Sequence, residues 1–335
     1  TKRRAGGKIR IEGCRQNNLK NVDVDFPLNT LCVVTGVSGS GKTTLVKQTL
    51  YPALQKHYGE GTERPGLHSY LGGDLDRIAH VELVDQNPIG KSSRSNPVTY
   101  IKAWDEVRKL YTKQPLAKMR GFAEKHFSFN TDGGRCDTCK GEGEVIVEMQ
   151  FLADVHLVCE SCKGKRFKDE VLEITYRTKS VFEILEMSVD QAISFFEDEP
   201  KLSKALQPLS DVGLGYIKLG QSSDTISGGE AQRVKLASFL GKGKSKSADK
   251  VLFIFDEPTT GLHMHDIKKL LGSFNALIDQ GHSILVIEHN TDVIRSADWV
   301  IDLGPEGGVN GGHLLYEGVP EGLKDVRESY TGQYM

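Results

Sequence analysis

Eight consecutive residues, Gly36, Val37, Ser38, Gly39, Ser40, Gly41, Lys42 and Thr43, read G-x-x-x-x-G-K-T. That is the pattern of a phosphate-binding loop. Glycine lets backbone N–H groups turn inward around phosphate oxygens, and a helix N-terminus behind them favours the same negative charge. Lys42 is then expected to reach the β- and γ-phosphates of ATP and the Thr43 hydroxyl to bind Mg²⁺. Gly36, Ser38, Gly39, Ser40, Gly41 and Thr44 complete the candidate cradle. Farther along, Asp256 and Glu257 end the apolar run Val251-Leu252-Phe253-Ile254-Phe255. The C-terminal end of a buried parallel strand is where such sheets present ligands. Asp256 is placed there to hold Mg²⁺ through water, and Glu257 to polarise an attacking water as general base.

Two further groups could do chemistry. Cys136, Cys139, Cys159 and Cys162 are spaced C-x₂-C-x₁₉-C-x₂-C, with Gly141 and Gly164 following the two pairs as a tight knuckle turn requires. Four thiolates favour a tetrahedral Zn²⁺, with a redox pair or an iron–sulfur cluster as the competing uses. A closed four-thiolate site is structural, so no zinc chemistry is expected. Cys14 and Cys32 have no such partners and read as buried packing residues. Ser227, Gly228, Gly229 and Glu230 fit a helix capping box, Ser at the N-cap and Glu three residues on. A helix N-terminus free of bulky side chains is also an anion site, so cap and phosphate contact can coexist.

The elements that must position these residues follow from the hydrophobic pattern. Residues 8–35 alternate and are rich in β-branched side chains, the last stretch feeding directly into the glycine loop. A helix is predicted to start at Lys42 and fade near Pro52. Residues 59–74 read as a surface loop and Ile78–Val84 as a strand. From Asn87 to about Leu219 the pattern changes to Pro, Gly, basic residues and cysteines, with two helices predicted over 179–187 and 189–197, the second led by Ser188 and Asp190. Gly241–Ser247 reads as a flexible loop. Strands at 251–255, 283–287 and 299–301, with a helical stretch Ile267–Ile278 between the first two, predict a largely parallel α/β sheet.

Composition narrows the class. The chain has 335 residues, 38% hydrophobic and 26% charged, with six cysteines. No apolar run approaches the ~20 residues that span a bilayer. The basic N-terminus has no apolar stretch behind it and is not a secretory signal. It also lacks an initiator Met, which suggests a fragment or a processed chain. Cysteines at metal spacing point to a reducing cytoplasm. The formal charge of −2 hides an asymmetry: residues 91–135 carry ten basic and four acidic side chains. A solvated face is the bland explanation. Contact with a phosphate backbone is the sharper one, and Lys91, Arg94, Lys118, Arg120 and Arg135 are its candidates.

The order of these motifs resembles that of ABC-type ATPases. Ile226-Ser227-Gly228-Gly229-Glu230 is similar to their signature motif and Asp256-Glu257-Pro258 to their magnesium and catalytic acids. By that resemblance, Gln86 corresponds to the Q-loop glutamine and His289 to the switch histidine. A closer likeness lies in Gln86-Asn87-Pro88-Ile89-Gly90, Arg94-Ser95-Asn96-Pro97, Phe127-Ser128-Phe129-Asn130, Gly133-Gly134-Arg135-Cys136, Gly228-Gly229-Glu230-Ala231-Gln232-Arg233 and Asp256-Glu257-Pro258-Thr259-Thr260-Gly261-Leu262-His263. Across nearly the whole chain these resemble the UvrA family, the damage-sensing ATPases of bacterial nucleotide excision repair, and correspond to its C-terminal half.

The resemblance implies an α/β fold of the ABC-type, P-loop ATPase kind. Residues 1–88 and 250–335 would form the ATP-binding domain, and 89–249 an inserted signature domain with the zinc module. It implies ATP, Mg²⁺ and Zn²⁺ as cofactors and double-stranded DNA as a partner. UvrB would bind through an N-terminal half not included in this chain, and the whole protein would be a homodimer without nuclease activity of its own. There are departures. Lys91-Ser92-Ser93 stands where the family more often has Arg-Thr-Pro, Ile226 replaces a leucine, and no aromatic residue precedes the glycine loop to stack adenine. Three other readings share part of the motif set. A transporter ATPase subunit gives the cysteines and the basic stretch no role. A chaperone-type zinc scaffold fits Cys136–Gly143, which looks like the DnaJ knuckle, but has no phosphate loop. A UvrA-like paralogue serving drug self-resistance would also bind DNA.

Overall fold

Leu31-Cys32-Val33-Val34 is apolar on both faces, which suits a strand covered on both sides within a parallel sheet. The computed structural model describes residues 2–335 apart from 62, 93, 148, 150–154 and 242–249, so most of the predicted loop 241–247 lies outside the described residues. In it, every residue of the strand Leu31–Gly36 is buried. The strand lies inside a six-stranded sheet with the order His313–Gly318, Trp299–Gly304, Leu31–Gly36, Ser283–Ile287, Val251–Asp256 and His80–Val84. Neighbours run parallel except at the His313–Gly318 edge. A smaller antiparallel sheet, Val22–Pro27, Lys8–Cys14 and Tyr70–Gly73, accompanies it.

The chain divides into two units, one formed by residues up to Asp85 together with those beyond Gly241, the other by Gln86–Gly241. The first junction falls three residues before the 88/89 boundary read from sequence, and Gln86 therefore belongs to the second unit. The core of the first unit gathers Ile9, Ile11, Val24, Phe26, Val34, Leu45, Leu50, Ile254, Leu285 and Ile301. Cys14 and Cys32 are buried in this core, and burial pushes the Cys14 thiol up to about 12 and that of Cys32 higher still. Both are packing residues, as their lack of partners implied.

Several elements differ from the sequence reading. The helix beginning at Lys42 does not fade at Pro52. It runs as a π-helical segment Thr44–Leu50 continued by an α-helix Tyr51–His57. Pro52 falls in the first turn of that α-helix, where its missing N–H costs nothing. Tyr70–Gly73 is a strand rather than loop. Among the helices of the second unit that the pattern did not single out, Trp104–Thr112 and Pro200–Asp211 are the longer ones, beside the anticipated Val181–Glu186 and Val189–Phe195. Ser188 caps the last of these, accepting from the Gln191 N–H at 3.2 Å. Among the described residues no helix is long and apolar enough to cross a membrane.

Phe255 is fully buried and packs against Phe274 with ring centroids 4.8 Å apart. Phe255→Ala removes a side chain that anchors the Met264–Asp279 helix on the sheet. Denaturant unfolding should show the variant destabilised by about 3–5 kcal/mol.

Candidate functional site

The phosphate loop leaves the buried strand Leu31–Gly36 and turns through Gly39 (φ 76°) and Gly41 (φ 106°), conformations that side-chain-bearing residues rarely adopt. Lys42 is only 6% exposed. Its ammonium donates to the carbonyls of Gly36 at 2.9 Å and Val37 at 2.8 Å. Burial lowers its pKa, and Glu257, Asp302 and Asp256 oppose that shift. A buried cation, glycine turns and the buried Ser40 hydroxyl, which has no hydrogen-bond partner among the described residues, make a cradle whose residues fit a phosphate chain. Thr43 and Thr44 follow in the first turn of the helix.

Asp302 lies opposite Thr35 in the sheet and is 1% exposed. Burial raises its pKa, against the pull of the Ser329 and Thr331 hydroxyls and of Lys42. No sequence motif pointed to this acid. It stands in an otherwise apolar strand, Trp299–Gly304, and an acid in such a run was the available signal.

At the neighbouring strand end, Asp256 pairs with Lys47 at 2.9 Å, a lysine the motif reading did not select. Glu257 takes a left-handed backbone conformation (φ 46°), and its N–H is fixed on the Ile287 carbonyl at 2.9 Å. Its carboxylate lies 3.3 Å from His289 Nε2. The residue between strand and histidine, Glu288, organises this corner. It is 2% exposed and accepts hydrogen bonds from Thr259 N–H (2.9 Å), Thr259 Oγ1 (2.5 Å), His289 N–H (2.9 Å) and Asn290 N–H (3.0 Å). The structure thus brings Lys42, Asp256, Glu257 and His289 to one edge of the parallel sheet.

Gln86 and the signature-like residues lie in the second unit. A Cβ at Gly228 would sit 3.1 Å from the Gln86 side chain and carbonyl, so these two stretches touch. Ser227 and Glu230 form the capping box the sequence suggested. Both the Ser227 N–H and its hydroxyl reach Glu230 at 2.9 Å, and Glu230 N–H returns to Ser227 Oγ at 3.3 Å. Tyr216 donates to the other carboxylate oxygen at 2.6 Å. Burial works against ionisation of Glu230, but these hydrogen bonds and Arg233 outweigh it and hold the pKa below the usual value. The helix that follows, Gly228–Gly241, starts with two glycines and keeps its first turn narrow.

The four cysteines converge. Their sulfurs lie within 4.8 Å of one another and all four are buried. Cys136 and Cys159 sulfurs are 3.9 Å apart and those of Cys139 and Cys162 3.6 Å. A tetrahedron of thiolates around an ion at ~2.3 Å has edges of about 3.8 Å, so the set fits a four-coordinate metal. The two knuckles repeat one backbone shape, Lys140 and Gly141 at φ 50° and 87°, Lys163 and Gly164 at 51° and 80°. Phe129 and Phe167 meet edge-to-face at 6.1 Å, and Arg166 lies over the Phe129 ring.

Among the described residues, three of the five basic candidates have internal partners. Arg94 pairs with Glu142 at 3.6 Å, Arg120 with the Glu173 carboxylate and the Glu170 carbonyl, and Arg135 with Asp132 at 2.6 Å. Lys91 and Lys118 are exposed.

No family model matches the chain. The UvrABC system protein A of Clostridium tetani is 49% identical over all 335 residues, and that of Bacillus subtilis 51% identical over 98% of the chain. The crystal structure of UvrA2 from Deinococcus radiodurans superposes over the whole chain with a TM-score of 0.88 at 44% identity. Over its whole length the chain is similar to these UvrA proteins. It spans 35% and 34% of the two curated relatives and 40% of the UvrA2 chain. The fold is α/β, with a second unit inserted into the sequence of the first.

Glu288→Gln exchanges a fourfold acceptor for a group that must present one amide donor to N–H groups. Hydrogen exchange at the amides of Thr259, His289 and Asn290 should accelerate by at least about tenfold, the equivalent of one missing buried hydrogen bond.

Proposed function

We propose that this chain is an ATP-hydrolysing module of a UvrA-type protein, serving DNA-damage recognition in nucleotide excision repair and corresponding to the C-terminal half of that protein. Convergence of Lys42, Asp256, Glu257 and His289 at one sheet edge carries the reading. Relatives named as UvrABC system protein A, about half identical along the whole chain, support it. In this reading the phosphate loop Gly36–Thr44 binds the nucleotide phosphates, and Lys42 leaves its carbonyl partners for the β- and γ-oxygens. Thr43 and Asp256 would hold Mg²⁺, which would supply screening of the phosphate charge. Glu257 accepts the proton of the attacking water, with its side chain steadied by His289 and its backbone by Ile287. Gln86 lies beside Gly228 and is assigned to sensing the γ-phosphate.

Ser227–Glu230 would act on nucleotide held by a second module, as the signature motif does in ABC ATPases, with the whole protein working as a homodimer. Specific ATPase activity of this chain should then rise with protein concentration. Glu257→Gln should retain ATP binding while turnover falls by at least about 10²-fold. A flat concentration profile and an unchanged rate would remove these roles.

We assign the cysteine cluster to one structural Zn²⁺. Metal analysis of reduced protein should give one zinc per chain, and iron or no metal would refute this. Cys159→Ser should lose the zinc and expose residues 136–167 to protease, because metal binding supplies the folding free energy of so small a module.

For double-stranded DNA, Lys91 and Lys118 are the favoured phosphate-binding side chains, while Arg94, Arg120 and Arg135 hold the surrounding fold. UvrB and the cytoplasm enter with the repair assignment. A Lys91→Ala/Lys118→Ala variant should lower the slope of log affinity against log salt by about 2, one for each phosphate no longer neutralised. An unchanged slope in a folded variant would move the DNA surface elsewhere.

A further inference from the structure

A phosphate cradle works only if its carbonyls face away from the anion while the N–H groups face it. A peptide plane is rigid and trans, so holding one carbonyl outward aims the next N–H the opposite way. The carbonyls of Gly36 and Val37 accept from Lys42, and that of Val37 also from the Ser40 N–H at 3.2 Å. Those of Gly39 and Ser40 are held by a different part of the chain. After the strand Trp299–Gly304 comes Pro305-Glu306-Gly307-Gly308-Val309-Asn310-Gly311-Gly312, a second glycine-rich loop that no motif reading selected. Gly308 N–H donates to the Gly39 carbonyl at 3.0 Å, and Gly312 N–H to that of Ser40 at 3.1 Å. The Asn18 amide bridges the two loops, donating to Gly39 O at 2.9 Å and Gly308 O at 3.0 Å.

The two loops meet backbone against backbone. A Cβ at Gly307 would lie 2.4 Å from the Ser38 carbonyl oxygen, and one at Gly36 would lie 2.0 Å from that of Leu303. No side chain fits at either place, which gives these glycines a steric reason independent of the phosphate itself.

We infer that residues 304–312, together with Asn18, brace the phosphate loop, fixing the Gly39 and Ser40 carbonyls outward and so presetting the cradle for a nucleoside triphosphate. The inference rests on Gly36–Thr44 being the nucleotide site. Asn18 and Gly307 are positioning residues, acting through the loop rather than on the phosphates. Because the brace follows the Trp299–Gly304 strand, the nucleotide site extends to a segment more than two hundred and fifty residues away in sequence.

The test is a fluorescent-ATP titration of the intact chain and of Asn18→Ala, Gly307→Ala and Lys42→Ala, reading both Kd and stoichiometry. A side chain that merely stabilises the fold lowers the number of competent molecules and leaves the Kd of the folded ones unmoved. The brace predicts the reverse. Asn18→Ala should raise Kd roughly tenfold, and Gly307→Ala further, at unchanged stoichiometry. A Kd within twofold of wild type for Asn18→Ala overturns the brace, and this variant decides alone if Gly307→Ala does not fold. Loss of binding in Lys42→Ala beside an unaffected Asn18→Ala would refute only the brace. Equal binding by wild type and Lys42→Ala would refute the nucleotide site itself, and the brace with it.

Discussion

Strand register in the six-stranded sheet is the constraint from which the candidate site follows. Asp256 pairs with Ile287, Ile287 with Val34, and Val34 with Ile301. All four strands run parallel and terminate within a few residues of that line. The phosphate loop, the acidic pair, the Glu288-His289 turn and the glycine-rich loop therefore emerge from one edge. A slip of one residue in any ladder would turn that strand's whole apolar set to the opposite face. With both faces of the central strands buried, such a slip would mismatch side-chain shape and volume on both faces. The chemistry is thus held in place by apolar side chains that touch no substrate.

Much of this is legible in the chain. Unbroken apolar runs such as Ser283–Ile287 can hardly be anything but interior strands, and the glycine spacing around Lys42 has a mechanical meaning independent of context. The cysteine spacing gives the metal-type cluster directly. Other features lie beyond local pattern. Pro52 signals a helix end only if the helix is continuous α. Here a π-helical segment lets it fall in a first turn instead. Tyr70–Gly73 contains two glycines and becomes a strand only because Lys8–Cys14 offers it a partner. In sequence Glu288 is merely a neighbour of the histidine, whereas burial makes it the hub of four hydrogen bonds. The arginines that read as a basic surface have carboxylate partners, some distant in sequence, and charge counting cannot see pairing of that kind.

The region around the cysteines uses a different strategy from the first unit. Around the cysteines there is little aliphatic core: the Glu144–Val147 and Val155–Val158 hairpin is largely exposed. What order exists there comes from the sulfur cluster, the paired knuckles and the aromatic group of Trp104, Phe129 and Phe167. A region too small to exclude water by burial can still be fixed by four strong ligand bonds.

The insertion of Gln86–Gly241 into the other unit has a consequence for synthesis. The strand Leu31–Gly36 is flanked on both sides by strands that come from the last third of the chain. With roughly 250 residues between them, elongation at ~5–20 residues per second leaves about 12–50 s before either neighbour emerges. For that interval a fully buried strand of the protein has two open edges without its native neighbours. The nascent chain is therefore most vulnerable to aggregation at the very segment that carries the phosphate loop, and shielding by the ribosome surface or a chaperone matters most there.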